Sequence, residues 1–206
     1  MPANQSRATF TREAADTRQH ALIEATAVCL AEAGTAGTSV RAICLRAGVS
    51  PGLLRHYFAG VDALVAETYR SVTATLSATL SAAAEAAGDD PRARLIAYVT
   101  ASFRPPVTDP MLLATWLAFW SLVKTDPAIA AIHGETYRAY RGDLEALLVR
   151  CGLDPARAGQ VAIALSALVD GLWLELSLDP TTFTPEAASA MAIRWLDTLL
   201  ERPDFA

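Results

Sequence analysis

The sequence predicts an all-α fold of about nine helices. Three observations carry that reading. Apolar residues recur every three or four positions along most of the chain, and no stretch alternates as a strand would. Five pairs, Asp90-Pro91, Asp109-Pro110, Asp126-Pro127, Asp154-Pro155 and Thr184-Pro185, each put a side-chain oxygen just before a proline. That is the pattern of a capped helix start, because proline at the first helical position loses no hydrogen bond. Finally, two short helical patterns between Gly34 and Leu64 meet at a tight glycine turn.

Taken in order, residues 1–15 show no apolar period and are expected as a flexible arm. The first helix is expected from Asp16 or Thr17 to Ala33. Leu22, Ile23, Thr26, Cys29, Leu30 and Ala33 share one of its faces, and Gly34 serves as its left-handed stop. Thr38 or Ser39 caps a second, short helix that ends at Ala47. Gly48 turns the chain and Val49 plugs the turn. Ser50-Pro51 then opens a third helix carrying Arg55, His56 and Tyr57. The fourth helix starts near Asp62, with a stripe of Leu64, Val65, Thr68, Tyr69, Val72, Leu76 and Leu80. Residues 62–87 are too continuous for a flexible linker and read as a stiff rod. The proline marks predict five more helices, over 91–104, 110–125, 127–150, 155–178 and 185–201. The expected organisation is an arm over 1–15, a helix-turn-helix domain over 16–61 and a ligand-binding and dimerisation domain over 62–206.

Composition narrows the function classes. The chain has 206 residues and is 52% hydrophobic, much of it alanine. No apolar run reaches the roughly 18 residues of a membrane span; the richest, Val161 to Leu178, is interrupted by Asp170 and Glu175. The N-terminus lacks an apolar signal core, so a cytoplasmic location without membrane attachment is expected. Cys29, Cys44 and Cys151 have no metal-ligand spacing and read as small buried hydrophobes. His20, His56 and His133 stand apart from one another and from any cysteine, and no glycine-rich phosphate loop follows a strand. An enzyme, a metal and a cofactor are therefore not expected. Net charge is −5, unevenly spread. Residues 1–60 hold six arginines and four acids; residues 61–206 hold eleven bases and eighteen acids. Such a chain presents one end to phosphate.

Two helices set across a glycine turn suit a module whose second helix enters the DNA major groove. Arg55, one turn after Ser50-Pro51, reads as a base or phosphate contact, since arginine can bridge guanine O6 and N7; a solvated surface arginine is the alternative. Thr38 and Ser39 can cap their helix while its N-terminus holds a phosphate. Arg41 and Arg46 read as backbone contacts or as a solvated face. Arg7 and Arg12 in the arm could reach a minor groove.

The ordered set Leu22-Ile23-Glu24-Ala25, Gly34, Thr38-Ser39-Val40, Ile43, Ala47-Gly48-Val49-Ser50, Gly52, His56-Tyr57-Phe58 and Leu64 resembles the TetR family of bacterial transcriptional regulators. That resemblance implies a homodimer on a near-palindromic operator, with Ser50, Pro51, Gly52, Arg55, His56 and Tyr57 on the DNA face. Tyr57 is implied as a phosphate contact, and the alternative for His56 is a packing residue. Phe58 would be core. Two departures stand out. The family lysine that meets a phosphate at the start of the fourth helix is here Val61, and Arg55 replaces a common aromatic residue. Trp116-Leu117-Ala118-Phe119-Trp120 and Asp170-Gly171-Leu172-Trp173-Leu174 are similar to the C-terminal domain of choline-responsive, BetI-type repressors.

Trp116, Phe119 and Trp120 share one helix face, as do Tyr137 and Tyr140 on the next. They read either as core or, with Trp173, as a cage for a quaternary ammonium group. Asp170 interrupts an apolar run, where a buried carboxylate needs a partner. A ligand cation, an internal arginine or an exposed edge would each serve, and Glu175 and Glu135 compete for the role. The helices over 155–178 and 185–201 are apolar on more than one face and are expected to form a four-helix dimer interface, the alternative being one buried core helix. The expected protein is a repressor released from operator DNA by a small molecule, choline or another quaternary amine first. A polyamine or hydrophobic effector is the alternative, and a helical carrier with a structural helix-turn-helix is the rival from another class.

Overall fold

A computed structural model describes residues 3–179 and 181–201, with side chains over 16–179 and 181–200. Among the described residues it holds nine helices and no strand. The first, α1 (Ala3–Gly37), extends through the stretch expected as an arm. That stretch lacks an apolar face but also lacks glycine, and its alanine, glutamine, arginine and glutamate all propagate helix. Arg7 and Arg12 lie outside the described side chains. The helical geometry of α1 breaks at Gly34, where φ is 61° and ψ is −165°. Glycine reaches that backbone state without a Cβ penalty. Close behind it, a Cβ at Gly37 would lie 2.3 Å from the Ala33 Cβ, so the turn closes only around a bare residue.

Next come α2 (Val40–Ala47) and α3 (Pro51–Tyr57). Ser39 caps α2 by accepting the Ala42 N–H at 3.2 Å. Thr38 instead donates its hydroxyl to the Gly34 carbonyl at 2.7 Å and ties down the end of α1. Gly48, at φ 65° and ψ 31°, is the left-handed C-cap of α2. Its neighbour Val49 donates its backbone N–H to the Cys44 carbonyl and packs on the core.

The remaining helices are α4 (Val61–Ala86), α5 (Pro91–Ala101), α6 (Pro110–Leu122), α7 (Pro127–Arg150), α8 (Pro155–Leu178) and α9 (Pro185–Glu201). All five proline marks open a helix. Asp90, Asp109, Asp126, Asp154 and Thr184 each accept a backbone N–H two or three residues on, at 2.8 to 3.2 Å. α8 is long and apolar enough to cross a membrane by composition alone, yet nine of its residues, from Ala158 to Leu176, are buried inside the fold.

The chain divides into two compact units, one holding residues up to Val72 with Ala114–Ile129, the other Thr73–Leu113 with 130 onward. The first unit's core gathers Leu22, Ala25, Cys29, Ile43, Cys44, Leu54, Phe58 and Leu64. Buried Thr26 and Thr68 satisfy their hydroxyls on the carbonyls of Leu22 and Leu64, four residues back. Thr115 donates to the Ala27 carbonyl and so joins α6 to α1. In the second unit α9 packs against α5 and α8. Its inner face is Ala188, Ala192, Leu196 and Leu199. Arg92 of α5 pairs with Asp197 of α9. The three cysteines are free thiols; Cys29 and Cys44 are buried and Cys151 is half-buried.

Gly37→Ala should lower the thermal midpoint, with a stability loss of about 1–3 kcal/mol from the forced contact with Ala33. Circular dichroism melting measures it, and an unchanged midpoint would refute the close approach.

Candidate DNA interface and effector site

The candidate DNA-facing surface is built by burying its opposite side. Leu54 is fully buried and Phe58 nearly so, and together they press α3 onto α1, α2 and the start of α4. A seven-residue helix has no independent stability, so this packing holds it in place. Ser50 caps it by accepting the Leu53 N–H at 3.2 Å. Pro51, Gly52, Arg55 and His56 are left exposed. Tyr57 is half-buried against the core, and the His56 ring meets it edge-on at 5.1 Å. Ser39 is exposed, and Thr38 is half-buried with its hydroxyl engaged.

Charge on this surface is one-sided. No acid occurs between Ala33 and Val61. Arg46 pairs with Glu32, whereas Arg41 is exposed on α2. Burial raises the Cys44 thiol pKa, against a smaller opposing pull from the Arg55 charge. Leu45 is 83% exposed on the outer side of α2; nothing in its periodicity marked it.

The six expected effector residues fall in both units. In the first, Trp116 and Phe119 are buried and Trp120 is half-buried. Tyr69 of α4 joins them: it stacks on Phe119 at 4.4 Å and 14°, and meets Trp116 edge-on at 5.5 Å. Trp116 and Trp120 lie 6.3 Å apart. Tyr69 was legible as part of the α4 stripe, but only the fold brings it to this cluster.

In the second unit, the Tyr137 hydroxyl donates to Asp170 Oδ1 at 3.1 Å. Burial raises the Asp170 carboxyl to about 6, against the opposing pull of the Tyr137 hydrogen bond and the Arg141 charge. Glu175 and Glu135, the other candidate acids, are exposed. The His133 ring lies 4.1 Å from that of Tyr137; burial first, then Arg141, lowers its pKa. Arg141 sits over the Tyr137 ring at 5.6 Å and donates from Nε to the Ser166 hydroxyl at 3.2 Å. Tyr140 is half-buried beside them, its hydroxyl pKa pushed up by burial and by the Asp170 charge. Trp173 is buried and spends its indole N–H on the Ser102 carbonyl at 2.6 Å. Sequence reasoning passed over Arg141. The signal available was its spacing, four residues after Tyr137 on one helix. A separate cavity of about 170 Å³, lined by Thr108, Pro110, Leu113, Leu176, Ser177, Phe183 and Pro185, contains none of the six. Among the described residues no cluster of His, Cys, Asp and Glu is arranged to hold a metal ion.

Two family models match the chain, one in each half. Residues 22–68 match the model of bacterial regulatory proteins of the tetR family. Residues 91–201 match that of the BetI-type transcriptional repressor C-terminal domain. The HTH-type transcriptional regulator BetI of Burkholderia thailandensis is 39% identical over 89% of this chain and 93% of its own length. A crystal structure of a transcriptional regulator from Pseudomonas aeruginosa PAO1 superposes with a TM-score of 0.83 at 44% identity, covering 90% of this chain and 91% of that one. A Saccharomonospora viridis regulator solved in complex with choline shares the fold, with a TM-score of 0.76 at 16% identity over 88% of this chain and 96% of its own. The chain belongs to the TetR family of DNA-binding transcriptional regulators, in its BetI-type repressor branch.

Proposed function

We propose that this regulator is a homodimer whose operator complex is released by choline or another quaternary amine, with Asp170 as the counter-ion and Tyr137 as an aromatic wall. The observation that carries the ligand class is the setting of Asp170. It is a sheltered carboxylate held by a tyrosine hydroxyl, and no described cation forms an ion pair with it. A quaternary ammonium group has no N–H to donate, so it suits a site of negative charge and aromatic faces. Trp173 adds a further aromatic face in the same unit, and Trp116, Phe119 and Trp120, in the other unit, are the remaining proposed effector residues. The fold has held choline in the Saccharomonospora viridis protein.

The dimer interface is assigned to α8 and α9. α8 turns a second apolar stripe outward along Ile163, Ala164, Ala167, Gly171, Leu174 and Leu178. Ile163 is 53% and Leu178 67% exposed, and Met191 of α9 is exposed as well. A core helix of a monomer has no use for such a stripe. Paired α8 and α9 from two copies would bury it as a four-helix interface. The two helix-turn-helix modules then meet successive major grooves, about 34–36 Å apart. Ser39, Thr38, Ser50, Pro51, Gly52, Arg55, His56 and Tyr57 form the proposed DNA face. An effector lowers occupancy only by binding better to a form whose modules are mis-spaced.

Choline titrated into the protein–operator complex should release the DNA, and Asp170→Asn should abolish the response while leaving operator binding intact. Saturating choline with no change in occupancy defeats the quaternary-amine reading. Affinity should also fall about tenfold per pH unit below 6, because the cation binds only the ionised carboxylate.

Stability should respond in the opposite sense. The folded carboxyl titrates near 6 and the unfolded one near 3.8, so the native state holds the extra proton between these values. Stability is lost as pH rises through that window and stays lost above it. Asp170→Asn should therefore gain on the order of 1–3 kcal/mol at pH 8 and little at pH 4, read by denaturant melts at both.

Ala167→Glu should convert the dimer to a monomer and weaken operator binding, measured by sedimentation and fluorescence anisotropy. A dimer that survives this charge would move the interface elsewhere.

A further inference from the structure

We propose a second small-molecule site in this chain: the cavity where α6, α8 and α9 meet takes a neutral, mainly apolar compound the size of a single ring, carrying one hydroxyl or carbonyl group. The proposal goes beyond the quaternary-amine reading and does not depend on it.

The cavity measures about 170 Å³ and lies wholly within the second unit. Three helix ends frame it. α6 opens at Pro110, α8 closes at Leu178 and α9 opens at Pro185. Packed interiors rarely keep gaps much larger than a water molecule, yet this one persists between the buried side chains of Leu113 and Leu176. An apolar cavity of about 150 Å³ is already enough to hold benzene.

Its chemistry differs from that around Asp170. No charged side chain lines it, and Phe183 is its single aromatic ring. A quaternary ammonium group would lose its hydration there without gaining a counter-ion. Asp170 stands six residues before Leu176 on α8, about 9 Å along the axis. The two sites therefore select different ligands.

Two polar groups interrupt the apolar wall. Elsewhere in this unit Thr100, Thr136 and Ser166 return their hydroxyls to carbonyls of their own helices. The hydroxyls of Thr108 and Ser177 line the cavity and make no hydrogen bond among the described residues. An apolar wall with unspent hydroxyls matches an alcohol, a phenol or a ketone. A bare hydrocarbon would leave those hydroxyls unmatched.

The wall is also fixed in advance. The Asp179 carboxylate accepts the Thr181 hydroxyl at 2.8 Å and that of Thr182 as well. Its backbone carbonyl accepts the Phe183 N–H at 3.2 Å. These bonds hold the Phe183 backbone at the cavity and set the entry to α9, so binding has little ordering left to do.

The test follows binding of para-fluorophenol and of fluorobenzene to the full-length protein by fluorine NMR. Both should saturate at one site per protomer, with Kd on the order of 1 mM or tighter. Ser177→Leu fills the cavity and should abolish both. Thr108→Val with Ser177→Ala should weaken para-fluorophenol about two- to tenfold while leaving fluorobenzene unchanged. Asp170→Asn should leave both probes bound as in wild type, whatever it does to choline. Circular dichroism checks folding; the paired variant, close to wild type in shape, keeps the test open should Ser177→Leu not fold. Absence of saturable binding, binding that survives Ser177→Leu, loss in Asp170→Asn, or equal weakening of both probes in the paired variant would each overturn the proposal.

Discussion

Burial of Leu54 and Phe58 is the constraint on which the rest depends. α3 is seven residues long and has no stability of its own. Leu54 and Phe58 seat it among Leu22, Ile43, Cys44 and Leu64, with Tyr57 packed beside them. Because these point inward, Arg55 and His56 must point outward, and the orientation of the reading surface is set by packing. The same core locates α2 through Ile43 and Cys44. Two short helices and a glycine turn thus become one rigid surface without any ion pair across it.

The C-terminal unit shows the opposite bargain between stability and function. Asp170 sits where an apolar residue would be more stable, and its proton is held two pH units longer than in an unfolded chain. Tyr137 contributes a hydrogen bond, and Arg141 adds charge at a distance, without neutralising the carboxylate. That destabilised charge is what the proposed ligand role of Asp170 rests on. Aromatic packing lies around it: Tyr140 is half-buried, Trp173 is buried, and the Trp173 indole N–H is spent on the backbone. Most of the aromatic residues therefore shape the surroundings, and few polar atoms remain to specify an effector.

Much of the architecture was legible because helix boundaries here are written by local chemistry. Asp90, Asp109, Asp126, Asp154 and Thr184 each act within three residues, so no distant partner was needed to place them. The glycines at 34 and 48 were readable for the same reason: a positive φ is a property of one residue. The boundary of α1 was not. Residues 3–15 have helical propensity but no apolar stripe, and a reading that relies on periodicity passes over them.

By itself, the sequence determined the all-α class, the helix starts and the presence of a helix-turn-helix, since these follow from contacts between near neighbours. Tertiary structure decided which side chains were available. It assigned the cap to Ser39 rather than Thr38, committed Arg46 to Glu32, left Arg41 and Arg55 unpaired, and sheltered Asp170 while exposing Glu135 and Glu175. It also brought Tyr69 to the tryptophans and Arg141 to Tyr137. Desolvation and pairing depend on residues far apart in the chain, and no local pattern records who will meet whom.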